Sequence, residues 1–331
     1  MKRLLMIGCG GFSRRYHVPT LLADPQLSIV GIFDPFPAPE VRALAERCGA
    51  KLVSQLQDLP QADAALVTTP HALHAQHVDF VLERGMAALV DKPFVMRLED
   101  ARALAAKARA RGLLNAVGFN RRLDRGCVRA RDIIASGELG TPRLVQTVQL
   151  GYEKAGWFLQ KALGGGGAYT GRGTHMADLV PWLLRQRPVA LRSRLRSGTA
   201  GGDVDGGGFI DLEFDGLECQ MNCIDQGLHM WDEVRIFGEK GLLELRRPST
   251  LPTGWALTWT LGDGTVRERL EAEQGAGFIT REFLAALHQG SPVSCTFEDA
   301  ALSVEIIEAA FESAERQQRG RGDSRIRMSS G

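Results

Sequence analysis

His175 closes a glycine-rich stretch, Gly164-Gly165-Gly166-Gly167-Ala168-Tyr169-Thr170-Gly171-Arg172-Gly173-Thr174-His175. An imidazole titrates near neutrality, so it can take a proton from a hydroxyl or return one to a carbonyl. Lys92, in Asp91-Lys92-Pro93, follows a short apolar run. An ammonium there can donate to an oxygen and favour its alkoxide form. A base for a hydroxyl proton and a cation for the oxyanion are what hydride removal from a carbinol carbon requires. The bland alternatives are a helix histidine satisfied in a core and a solvated lysine after a strand. Pro93 opposes the second, because it makes a rigid turn, and it permits a cis bond.

Such chemistry needs a hydride acceptor. Gly8-Cys9-Gly10-Gly11-Phe12-Ser13 follows the first apolar run and opens a helix. It reads G-x-G-x-x-G with serine at the last position. The first glycine permits the tight turn, and the second lets backbone approach a pyrophosphate. The third position needs only a small residue. Asp34 ends the second run at the spacing expected of an acid on an adenosine ribose. It would accept from both ribose hydroxyls and repel a 2′-phosphate. Pro35-Phe36-Pro37 supply no cation for such a phosphate, although Arg42 could swing in. NAD is therefore favoured over NADP. In Thr69-Pro70-His71-Ala72-Leu73-His74, proline suits a first helical turn. His71, His74 and His77 recur every third residue, but i and i+6 diverge on a helix, and no acid or cysteine accompanies them. They read as surface or cofactor-edge groups, and no metal is expected.

The elements that must carry these residues follow from periodicity. Apolar runs at 4–7, 28–33, 64–68, 87–91 and 114–118 alternate with helix-like segments such as 41–48 and 98–111. That pattern predicts an α/β unit with a doubly wound parallel sheet, its strands buried on both faces. A helix over 124–136 and a strand over 143–150 come next, then the helix after the glycines. Strand-like runs at 189–195, 208–214, 218–224, 233–237, 242–245 and 256–261 come without long helices between them. They predict a second, α+β unit with a large, mostly antiparallel open sheet. Helices over 277–289 and 297–316 close the chain, and the polar tail from 319 is expected to fray. The domains expected are 1–120, binding the dinucleotide, and 121–331, binding substrate and joining copies.

Composition excludes several classes. A length of 331 residues suits two cores. A net charge of +1 gives no field for nucleic acid or an anionic membrane. No apolar run approaches a membrane span, and the one after Lys2-Arg3 is too short for a signal peptide. The six cysteines form no C-x-x-C pair, which suits free thiols in a reducing cytoplasm.

Taken in order, these motifs resemble the glucose–fructose oxidoreductase / inositol dehydrogenase / rhizopine catabolism (GFO/IDH/MocA) family over nearly the whole chain. Residues 8–13 are similar to its dinucleotide loop, and Tyr16-His17-Val18-Pro19 to what usually follows. Thr69–His74 is similar to T-P-x-x-x-H, and Asp91-Lys92-Pro93 to E-K-P. Phe119-Asn120-Arg121-Arg122-Leu123-Asp124 and 237–244 resemble two later motifs. The resemblance implies a Rossmann domain, a tightly held NAD(P), hydride transfer at a sugar, polyol or inositol carbon, and dimers or tetramers through the large sheet. It implies cofactor contacts at Gly8, Cys9, Gly10, Gly11, Phe12, Ser13, Asp34, Thr69, Pro70, His71, His74, Asp91, Lys92 and Asn120. Catalytic roles fall on Lys92 and His175. Substrate contacts fall on Arg121, Trp157, Phe158, Tyr169, Gly171 and Arg172.

The family pattern G-G-G-x-x-x-D-x-G-x-H-x-x-D departs here at one place: its first aspartate falls on Gly171. Phe158 also stands where the family often has arginine. Both losses suggest a substrate less hydroxylated or less anionic than a typical hexose. Arg172, beside the gap, should point about 100° away on a helix. Asp178 can orient His175 or pack elsewhere. Two other functions stay open: a relative that retains NAD and oxidises transiently to hydrolyse or eliminate, and a non-catalytic cofactor-binding paralogue.

Overall fold

A computed structural model describes residues 1–152, 154–197, 202–225, 229–248, 254–270, 278–320 and 323–329. Two units emerge: Met1–Phe119 with Ala276–Ala301, and Asn120–Gly275 with Leu302–Gly331. The segment around the penultimate helix thus returns to the first unit.

In the first unit the strands are β1 (Lys2–Ile7), β2 (Leu27–Phe33), β3 (Lys51–Val53), β4 (Ala64–Val67), β5 (Ala87–Val90) and β6 (Asn115–Val117). They form a wholly parallel sheet in the order β3-β2-β1-β4-β5-β6. Leu4, Leu5, Met6 and Ile7 are all fully buried, as runs apolar at every position require when helices cover both faces. The helices are α1 (Gly11–Tyr16), α2 (Val18–Leu22), α3 (Pro39–Cys48), α4 (His74–Glu83) and α5 (Leu98–Ala110). Register sets the site: Ile7 lies beside Phe33 and Val67, Val67 beside Val90, and Val90 beside Val117. Gly8, Asp34, Thr68, Asp91 and Gly118 therefore all leave one edge of the sheet, the carboxyl edge where α/β sheets bind ligands.

The second unit begins with α6 (Arg125–Ala135) and β7 (Pro142–Leu150). The short α7 (Lys161–Gly164), a π-helical turn at Tyr169–Gly173 and α8 (Thr174–Leu184) follow. The single helix expected after the glycines is thus broken into pieces. Strands β8 (Ala190–Ser197), β9 (Asp205–Phe214), β10 (Leu217–Ile224), β11 (Trp231–Gly238), β12 (Gly241–Pro248), β13 (Ala256–Leu261) and β14 (Val266–Leu270) come next. Helices α9 (Phe278–Gln289) and α10 (Phe297–Gln318) and strand β15 (Ile326–Arg327) end the chain. Gly277, expected to start α9, lies outside the described residues, as do 321–322 and 330–331 of the tail. The rest of the tail is not frayed, because Ile326 pairs with Leu191 of β8.

Among the described residues nine strands form the second sheet, in the order β14-β13-β12-β11-β7-β10-β9-β8-β15. All pairs are antiparallel except β7 with β10. One face is apolar: Val145, Ile210, Met221, Ile236, Leu245 and Leu257 join Ala130 and Ile133 of α6 and Leu179 and Leu183 of α8 in one core. On the other face Arg235 and Arg246 alternate with Glu233 and Glu244 across β11 and β12. All six cysteines are free. No described helix is long and apolar enough to cross a membrane.

Candidate active site

The glycine loop begins where β1 ends. Gly8 has φ +86°, and a Cβ there would lie 2.9 Å from the Thr68 carbonyl, so only glycine fits. Thr68 Oγ1 donates to Gly8 O at 2.8 Å and ties the loop to β4. Beside Gly10 and Gly11 no described atom lies within 4 Å of an added Cβ, which leaves backbone open to a close-fitting group. Cys9 and Ser13 are buried, and Ser13 Oγ has no hydrogen-bond partner among the described residues. Phe12 is exposed, its ring 4.7 Å from that of Tyr16. Gly8 N donates to Phe33 O at 2.9 Å, so Asp34 leaves β2 beside the loop. Its Oδ1 accepts from Phe36 N at 3.0 Å, and the side chain is half-buried. Open glycines next to a helix start, with an acid one strand over, fit the phosphates and ribose of a dinucleotide.

Next to this loop lies a buried knot. Thr69 Oγ1 is 2.8 Å from His77 Nδ1. His74 sits between carbonyl oxygens: Nδ1 is 2.8 Å from Pro93 O, and Nε2 is 2.9 Å from Thr69 O. Burial lowers the pKa of His74, and it holds His77 down to about 4, with His74 adding to the effect. His71, His74 and His77 are all buried, so of the two expectations the surface one is corrected: His74 lies between Thr69 O and Pro93 O, His71 packs on His74, and His77 packs on Phe33 at the end of β2. His74 clamps the residue after Lys92, across a Lys92–Pro93 bond that is cis. Pro70 is half-buried, as are Asp91 and Lys92. Asp91 Oδ1 accepts from Lys92 N at 2.9 Å. It also fills the space a Cβ on Gly118 would need.

The second unit holds His175 at the start of α8. From residue 166 to 181 every residue is buried except His175, which is half-exposed. Asn120 is exposed at the first residue of this unit. On α8, Asp178 accepts a fork from Arg122, with Nη2 at 2.6 Å and Nε at 3.0 Å. Arg121 Nη2 lies 3.1 Å from Asp232 Oδ1, and Arg247 Nη2 2.5 Å from Oδ2. Burial pushes the Asp232 carboxyl up, but Arg121 and Arg247 outweigh it and bring it to about 2. Arg121 also lies over the Trp255 ring and, through desolvation, falls to about 10.

Two expected substrate contacts are committed elsewhere. Tyr169 is fully buried, its hydroxyl 2.7 Å from Met221 O and 3.0 Å from Gly208 O, so it pins the π-helical turn to the sheet. Its ring passes where a Cβ on Gly173 would stand. Arg172 turns inward instead of away: its Nε donates to Asp225 at 2.9 Å, and its guanidinium occupies the Cβ space of Gly151. Trp157 and Phe158 are half-buried and stack at 3.7 Å between centroids. Lys154 Nζ lies 5.3 Å from the Phe158 centroid, and Lys154 Cε is 3.9 Å from a Cβ placed on Gly171. No motif marks Lys154 or Asp225. The one hint in the sequence is a lysine within one turn of the aromatic pair.

Comparison with known proteins agrees with this layout. Residues 2–119 match the model of an oxidoreductase family with an NAD-binding Rossmann fold, and 127–244 match the GFO/IDH/MocA C-terminal domain. The chain is 27% identical over 325 residues to the rhizopine catabolism protein MocA of Rhizobium meliloti, covering 94% of each. It is 23% identical to an inositol 2-dehydrogenase of the same species, covering 96% of this chain and 98% of that one. Among solved structures it is similar to GenD2 from gentamicin A biosynthesis in complex with NAD. There the TM-score is 0.82 at 28% identity, over 99% of this chain and 97% of that one. With both halves matched in order, the chain belongs to the GFO/IDH/MocA family of NAD(P)-binding oxidoreductases.

Proposed function

We propose that the protein is an NAD-dependent dehydrogenase or reductase of a cyclic alcohol or ketone, of the sugar, polyol or inositol class. The observation that carries this reading is His175, the one residue left accessible in an otherwise buried stretch. Bound NAD would accept or supply the hydride. Gly10 and Gly11 leave room for its pyrophosphate, and Asp34 would accept from its ribose hydroxyls. Asp34 repels a 2′-phosphate, which favours NAD over NADP; the NAD complex of GenD2 supports that choice.

Lys92 donates to the substrate oxygen and stabilises it as negative charge develops there. His74, by holding Pro93 O, fixes the turn from which Lys92 projects. His175 takes the hydroxyl proton in oxidation and returns it in reduction. The inositol 2-dehydrogenase and the rhizopine catabolism protein support the substrate class by name.

The test follows cofactor reduction at 340 nm with a panel of cyclic polyols, with NAD and with NADP. Lys92→Ala and His175→Asn should each lower kcat by about 100-fold or more, with the dissociation constant for NAD unchanged in His175→Asn. Unchanged turnover in either variant removes that residue from the mechanism. Product without net cofactor reduction would favour transient oxidation instead.

A further inference from the structure

Glycines of two kinds occur between residues 164 and 173. A Cβ on Gly167 would lie 1.7 Å from Asp205 O, and one on Gly173 2.4 Å from the Tyr169 ring. Those positions have no room for a side chain. Gly171 differs: apart from its chain neighbours and its own helix backbone, the only described atom within 4 Å of its Cβ position is Lys154 Cε. Positions 171 and 175 lie about one helical turn apart, so this space is on the His175 side.

Lys154 approaches that space with its ammonium over the Phe158 ring, and Phe158 is backed by Trp157. Asp225 is the carboxylate with most influence on it, but Oδ1 of Asp225 is already taken by Arg172. Two cations therefore share one carboxylate, and among the described residues Lys154 enters no ion pair. Burial lowers the Lys154 pKa, Asp225 opposes this, and Arg172 adds to it. A half-buried ammonium with a cation neighbour gains most from an incoming anion.

We propose that Lys154 is a substrate-binding residue that selects a carboxylate on the ring of the substrate, with Phe158 and Trp157 against the ring face. The substrate class is then an acid-bearing cyclic polyol or its ketone, of the hexuronate kind. This rests on the dehydrogenase reading and deepens it. It also reverses one expectation from sequence: the lost carboxylate at 171 opens the site to a more anionic substrate, not a less anionic one. A single ammonium suits a carboxylate better than a phosphate, which calls for several donors or a guanidinium fork.

The test is calorimetric binding to the full chain saturated with NAD. Probes are D-glucuronate, D-galacturonate and quinate, against D-glucose, D-galactose, myo-inositol and glucose 6-phosphate. At least one carboxylate should bind about tenfold or more tighter than its neutral counterpart. Lys154→Met, which keeps the apolar stem, should remove that advantage and change neutral binding less than about threefold. Gly171→Asp should weaken carboxylate binding as well, by pairing with the ammonium. Lys154→Arg should keep most of it. The proposal is overturned if no carboxylate binds, if neutral compounds or glucose 6-phosphate bind best, or if Lys154→Met weakens both kinds equally. That last result would show that Lys154 only balances Asp225. Absorbance at 340 nm separates the two readings: carboxylate binding without reduction sinks the dehydrogenase, while reduction by neutral polyols alone sinks the carboxylate subsite.

Discussion

One buried polar network lies beside Lys92 and another involves the turn and helix that carry His175, and they are made of opposite materials. Beside Lys92, Thr69 Oγ1 bonds to His77, and His74 lies between the carbonyls of Thr69, Pro93 and Phe94. Burial lowers the pKa of both imidazoles, His77 to about 4, while the carbonyls around His74 oppose the shift there. Beneath His175 the groups are ions: Arg122 with Asp178, Arg121 and Arg247 with Asp232, and Arg172 with Asp225. The first network caps carbonyls that the sheet leaves at its edge. The second draws arginines into a helix–sheet interface, where each needs a carboxylate. Neutral knots fail when a proton arrives, and ionic ones when a partner leaves.

Removing a partner should therefore separate the two most sharply. Asp178→Ala leaves the buried Arg122 fork without its acceptor and should cost about 3–5 kcal/mol of unfolding free energy in urea. Thr69→Val, in the neutral knot, should cost only about 1–3 kcal/mol. The double variant Arg122→Met/Asp178→Leu should recover much of the loss, since an apolar pair needs no compensation. If Asp178→Ala costs no more than Thr69→Val, the contrast between the networks is void.

Acid should take the two apart in sequence. His77 has an unfolded pKa near 6.5 and a folded value of about 4. The unfolded chain binds that proton first, so stability is full above about pH 6.5 and falls toward pH 4, by on the order of 3 kcal/mol. His17 and His74, both lowered by burial, act in the same direction. Asp232 is depressed from 3.8 to about 2, so its contribution is present above about pH 4 and lost between there and pH 2. Hydrogen exchange read by mass spectrometry should show strands β4 and β5 losing protection first, and β7 and β11 only below about pH 4. Loss in the reverse order would reject the assignment of neutral and ionic networks.

Much of this frame was legible in the sequence, for reasons that differ along the chain. The parallel strands declared themselves because residues such as Leu4–Ile7 are apolar at every position, which only burial on both faces explains. Gly8, Asp34 and Lys92 followed, because each sits where such a run stops. Strand β3 was silent: it has three residues, one of them an exposed lysine. Strand β14, Val-Arg-Glu-Arg-Leu, lies at an edge and shows no apolar face. The ionic network was silent too, because Arg121 and Asp232 meet only through the sheet. Tyr169 and Arg172 were misplaced for one physical reason. A regular helix turns them elsewhere, whereas the π-helical turn and the small residues Gly173 and Gly151 let both fold back into the core.

The smallest expected effect lies at Gly171, directly beside Arg172 of the ionic network. Its backbone carries no positive φ, and its Cβ position has room. Gly171→Ala should therefore raise the thermal midpoint slightly, by about 0.4–1 kcal/mol of stability, because alanine loses less backbone entropy in a helix. The same methyl on Gly173 would collide with the Tyr169 ring and should destabilise the protein by about 1–3 kcal/mol, making it the control for overpacking. A midpoint that falls in Gly171→Ala would mean that Lys154 or the turn itself fills the space. The ammonium would then be packed against the helix rather than standing over an opening, and the comparison between the two glycines would collapse.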